Sequence, residues 1–147
     1  MKAKTTYFAK TTMLVVMFAV LISVTGANGQ TSIFAGNFTL THQVRWGQAT
    51  LPAGDYSIRF SSLHSPAMVR SMDGKTMAFV FTVSSGDSEK GPSSLTIVTR
   101  GNERKVASMN LPGSHVSLVY SPLTKAERET LAKSNQIQSV PLIAANK

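Results

Sequence analysis

The side chains able to do chemistry in this chain are few and scattered. His42, His64 and His115 are its three histidines, the strongest metal ligands and general bases present. Their separations are far wider than those of a zinc motif, so a metal centre or hydrolase site would have to assemble from distant strands. No Gly-x-Ser-x-Gly elbow accompanies the serines, which gather in stretches of turn chemistry. Asp55, Asp73, Asp87, Glu89, Glu103, Glu127 and Glu129 fall mostly in turns or on one short helix, where carboxylates cap and solvate. A glycosidase would need two of them facing each other across one cleft. The residues therefore point to no catalytic group, no bound metal and no cofactor.

A ligand site has one candidate set: Trp46 and Tyr56 with Arg45 and Arg59 close in sequence. An exposed aromatic beside cations stacks on sugar or aromatic faces and attracts anionic groups. The competing reading places Trp46 in the core, since it continues the inward phase of Phe38, Leu40 and Val44. Met68, Met72, Met77 and Met109 read as core filler for the same reason.

The elements that must position these residues are strands. From Phe38 to Trp46 the side chains alternate, Phe38, Leu40, His42, Val44 and Trp46 inward and Thr39, Thr41, Gln43 and Arg45 outward. Ala49 to Leu51 resumes the pattern after Gly47, and Pro52-Ala53-Gly54-Asp55 turns the chain into Tyr56 to Phe60. Asp73-Gly74 between Ala67 to Met72 and Thr76 to Val83 is a hairpin signal. Ser84 to Ser93 carries no apolar residue and reads as a surface loop. Leu95 to Thr99, Arg104 to Leu111 and Val116 to Tyr120 complete a set of seven or eight strands, which predicts an antiparallel sandwich or small barrel. Thr124 and Glu127 form a capping box for a short helix ending near Ser134. Residues 135–147 are an edge strand or a frayed tail, so the domain proper spans 30–134. Leu51-Pro52-Ala53-Gly54 and Leu111-Pro112-Gly113-Ser114 echo each other as corners, by shared turn chemistry or by a pseudo-repeat.

The address is written at the start. Lys2, Lys4 and Lys10 precede an apolar run from Met13 to Val24, and Ala27-Asn28-Gly29 offers a cleavage site, so residues 1–29 read as a signal peptide. The run is shorter than the roughly 20 residues that span a bilayer, which leaves no membrane span once the leader is cut. Retention of the leader as an anchor is the alternative. The chain has no cysteine, which excludes a disulfide framework and a thiolate metal site. Losing the leader lowers fifteen Lys and Arg to twelve against seven Asp and Glu, a net change from +8 to +5. Those cations are scattered singly apart from Arg104-Lys105, and no strip suited to tracking nucleic-acid phosphates is present.

Trp46-Gly47 followed by Leu51-Pro52-Ala53-Gly54-Asp55-Tyr56, within Phe38 to Phe60, resembles a segment of uncharacterised small secreted β-rich bacterial proteins. The resemblance implies export and a β fold, and no activity. Together the residues predict an exported, periplasmic or extracellular, non-catalytic β domain that binds or builds the envelope, its partner an envelope protein or a polysaccharide. The alternatives are a carbohydrate or anionic-polymer binding module using Trp46, and a hydrolase using His42, His64 or His115. N-terminal sequencing of the exported protein should begin at Gln30; a chain still carrying Met13 to Val24 would mean that the leader is retained.

Overall fold

The computed structural model describes residues 32–145. The leader expected over 1–29 lies outside those residues. Two sheets face each other, with one short helix on the outer side of the second, so the chain folds as an all-β sandwich.

The first sheet contains β1 (Phe34–Leu40), β4 (Gly54–Phe60), β5 (Ala67–Ser71), β6 (Met77–Val80) and β12 (Ile143–Ala144), ordered β12-β1-β4-β5-β6. The second is ordered β11-β8-β9-β10-β7, from β7 (Ser84–Asp87), β8 (Ser94–Arg100), β9 (Glu103–Leu111), β10 (Val116–Val119) and β11 (Ile137–Pro141). To it belongs a small hairpin, β2 (Val44–Trp46) and β3 (Ala49–Leu51), joined to β9 through a parallel bridge between Arg45 and Lys105. Among the described residues the strands number twelve rather than seven or eight. The additional ones are short segments that hold by backbone pairing with little apolar side-chain signal of their own. The clearest is β7, which reads as a loop in sequence yet pairs along its length with β10 while all four of its residues stay exposed.

Period-two burial builds the core. Tyr56, Ile58 and Phe60 of β4 point inward with Phe38 and Leu40 of β1, against Leu95, Ile97, Met109 and Leu111 of the opposite sheet. Each such side chain contributes about 1.5–3 kcal/mol of transfer free energy. Phe38 stacks on Tyr56 with centroids 5.5 Å apart and meets Trp46 edge-on at 5.9 Å, so one aromatic cluster spans both sheets.

The inward phase expected at His42 is not kept. β1 ends at Leu40, and Thr41 to Gln43 carry the chain across to the second sheet, leaving His42 exposed with its ring nitrogen 2.9 Å from the Thr41 hydroxyl. The methionines also divide: Met109 is in the core, whereas Met72 and Met77 are exposed. The Asp73-Gly74 hairpin forms as expected, with Gly74 at φ 73 and Ser71 and Thr76 closing it.

A bulge in β9 does more than bend it. Ile97 pairs with Val106 and Thr96 with Ser108, so Ala107 is the extra residue, and its carbonyl accepts from the N–H groups of both Tyr120 and Ser121. Ala107 and Val98 face outward under the helix α1 (Lys125–Lys133), where they bury Leu131. Thr124 caps that helix through the capping box with Glu127, as the sequence predicts.

Beyond the helix the chain is neither frayed nor a single edge strand. β11 pairs with β8, Leu142 is buried, and β12 pairs with β1, so the segment passes from one sheet to the other. The two echoing corners also differ: Leu51-Pro52-Ala53-Gly54 crosses between sheets, while Leu111-Pro112-Gly113-Ser114 is a 3-10 turn within the β9–β10 hairpin. Shared turn chemistry accounts for them without a repeat. Urea unfolding should show Leu111→Ala costing about 2–5 kcal/mol and Thr124→Ala about 1 kcal/mol; equal losses would mean the core is not where the stability lies.

Candidate functional site

Trp46 and Tyr56 are 0% and 2% exposed, so neither presents a face to a ligand. The expected stacking platform is corrected on this point: period-two alternation turns both rings into the core, where Phe38 separates them. The Tyr56 hydroxyl donates to the Pro52 carbonyl at 2.8 Å and ties down the corner before β4. The two arginines part company. Arg59 lies on the outer face of the first sheet, opposite Met68, while Arg45 belongs to the second sheet. His42, His64 and His115 lie in three different connections, and among the described residues no three His, Asp or Glu side chains gather as a metal site.

What the sequence did not single out is the border formed by β6 and the residues after it. Met77, Phe79, Phe81 and Val83 are 61%, 56%, 69% and 64% exposed. Large apolar side chains at alternate positions on a surface are the informative exception to burial. The backbone there is open too. Ser71 N–H donates to the Thr76 carbonyl, so by antiparallel alternation residues 76, 78 and 80 face β5, while the N–H and C=O of Met77 and Phe79 point away from it. Phe81 lies beyond the strand and has no backbone hydrogen bond among the described residues. The chain is held again at Val83, whose N–H donates to Val119 C=O at 2.8 Å.

This open border runs along a cleft of about 430 Å³ between the two sheets. One bank is Phe79, Phe81 and Val83; the other is Arg45, Gly47, Gln48 and Lys105; Val80, Val106 and Tyr120 form the floor. The β2–β3 hairpin comes alongside β6 without pairing with it, which leaves the barrel-like wall unclosed at this seam. Glu103 accepts from Lys105 at 3.0 Å and from Arg45 at 3.2 Å. Those two cations, Lys105 first, hold its carboxyl below the usual range. Two cations sharing one carboxylate leave the bank positive.

Tyr120, whose N–H is held by the Ala107 carbonyl, lines the cleft and carries a buried hydroxyl. Its hydroxyl and the Trp46 indole nitrogen are both buried without a hydrogen-bond partner among the described residues, and the two rings meet edge-to-face at 5.1 Å. The neighbouring Thr82 hydroxyl acts to lower the phenol's pKa but does not meet hydrogen-bond geometry with it. Burial pushes this hydroxyl up to about 12. A buried donor left without a partner costs about 1–3 kcal/mol.

A second hollow, about 370 Å³, lies on the outer face of the second sheet between α1 and the segment around Glu89. Ser94, Thr96, Ser108 and Ser117 floor it, and Arg128 bridges to Glu89 at 3.4 Å. Small hydroxyls are the ordinary lining of a solvent-facing sheet, and no orphaned buried group points into this hollow. The seam is the better candidate.

No protein-family model, curated protein or solved structure matches the chain.

The acidity of Tyr120 gives a test of the cleft floor. With its folded value above the unfolded value near 10, the native state holds the proton longer, so stability falls as pH rises between 10 and about 12. Tyr120→Phe should flatten that alkaline decline in denaturation midpoints measured from pH 8 to 12. An unchanged slope would mean that the phenol titrates as if exposed.

Proposed function

We propose that this protein is an exported, non-catalytic β domain whose work is binding, and that it takes its partner at the seam beside β6. The observation that carries the reading is the coincidence of exposed Phe79, Phe81 and Val83 with an unpaired strand border along one cleft. Natural sheets blunt such borders with Lys, Pro or bulges. From Thr76 to Gly86 this chain has no charged residue and no proline. A border left that way is a template for another backbone, and strand addition is an established mode of recognition.

Export is part of the same proposal and rests on the leader read at residues 1–29. An apolar border of this kind is a liability in a crowded cytosol. Among the described residues no helix is long and apolar enough to cross a membrane. The partner on this reading is an envelope protein, in the periplasm or outside the cell, since a second strand matches the regular spacing of the free backbone groups of β6. The carbohydrate reading through Trp46 loses its platform with the burial of that ring.

A photo-cross-linking side chain placed at position 81 in the producing cell tests this. It should form a discrete adduct heavier than the chain, suppressed by Phe79→Ser, whereas the same group at Ser57, on the first sheet away from the seam, should form none. Equal adducts from both positions, or none from 81, would defeat the proposal.

A further inference from the structure

We infer that the occupant of the seam is an extended segment of another protein, apolar at alternate positions and acidic at one end, added to β6 as a further strand. The inference rests on the binding role proposed above and assigns the chemistry of the partner.

Three features set that chemistry. The first is backbone: Met77 and Phe79 direct their N–H and C=O groups away from β5, and Phe81 has no backbone partner among the described residues. Another extended backbone matches donors and acceptors at that spacing in place of the water that otherwise solvates them, whereas an acyl chain offers neither. The second is the apolar bank. Phe79 in β6 and Phe81 just beyond it line the same bank, two residues apart, so a partner strand must offer apolar side chains with the same period.

The third feature is charge, and it decides between a foreign segment and a second copy. Two copies pairing antiparallel about Phe79 would set Met77 opposite Phe81 and satisfy the border, but would also bring two positive banks of Arg45 and Lys105 toward the same axis. Facing like charges oppose docking. The chain's own segment from Thr76 to Gly86 has no acidic residue to offset them. Beyond Arg45 the surface continues into a second cleft bearing Arg100 and Arg104, where Glu103 is the only carboxylate lining it. A partner acidic at one end completes this field.

The test uses the purified full chain and a fluorescent nine-residue peptide of alternating valine and threonine ending in two glutamates. Controls are the same peptide ending in two lysines, and one with N-methylated valines that cannot pair along one edge. The glutamate peptide should bind at least about tenfold more tightly than the lysine peptide, with a preference that shrinks as salt is raised. N-methylation or Phe81→Ser should abolish binding, and Arg45→Gln with Lys105→Gln should erase the charge preference while the backbone-dependent binding persists.

Equal binding of both end charges would overturn the acidic assignment and leave the strand-addition role standing. Tight binding of the N-methylated peptide would overturn strand addition itself. Failure of every peptide, with a mass that doubles on concentration and returns to monomer in Phe79→Ser, would identify the occupant as a second copy. Failure of every peptide with a monomer at all concentrations would defeat both this inference and the role on which it rests.

Discussion

A strand at the border of a sheet leaves every second backbone N–H and C=O without a partner, and water or another chain must take them. A two-sheet sandwich has four such borders, and the chain uses connectivity to limit them. At one side β11 and β12 are consecutive, with Leu142 buried between them, so a single segment edges both sheets. At the other side β6 passes directly to β7, again one segment edging both sheets. The first crossing is short and closed by the Leu142 N–H donating to Ser93. The second spans Phe81 to Val83, and there the wall stays open.

The reason for the opening lies in β9. At its Ala107 bulge the β9 carbonyl takes both Tyr120 and Ser121 N–H groups as β10 pairing ends, and further along β9 the neighbouring place is taken by β2 through the bridge at Lys105. The β2–β3 hairpin therefore reaches toward β6 from the opposite sheet without pairing with it. One inserted residue thus sets the cleft floor, places Tyr120 within it, and brings Arg45 and Lys105 to face Phe79 and Phe81. Local backbone irregularity near a site is a common device for aiming side chains.

Much of this was legible in the residues, and the remainder fails for identifiable reasons. The alternation of Tyr56, Ile58 and Phe60, the Asp73-Gly74 hairpin and the Thr124–Glu127 capping box all carry a local signal, and each forms. The phase at His42 broke because alternation is blind to a strand that stops and restarts on another sheet. The strip was missed because Met77 to Phe81 is apolar at every position, so a period of two marks two faces without saying which is inward. Of the candidate ligand set only Arg45 reaches the cleft. Trp46 and Tyr56 serve the core, and Arg59 lies on the first sheet's outer face. Partners such as Lys105 and Tyr120 come from strand order, which one sequence does not encode locally.

Amide hydrogen exchange along β6 tests the open border most directly, since it reads each backbone N–H separately. With Ala78 and Val80 paired to β5 and Met77, Phe79 and Phe81 unpaired, protection should alternate: slow at 78 and 80, fast at 77, 79 and 81. Uniform protection from 77 to 81 in the isolated protein would show that the border is already occupied, and would contradict the account.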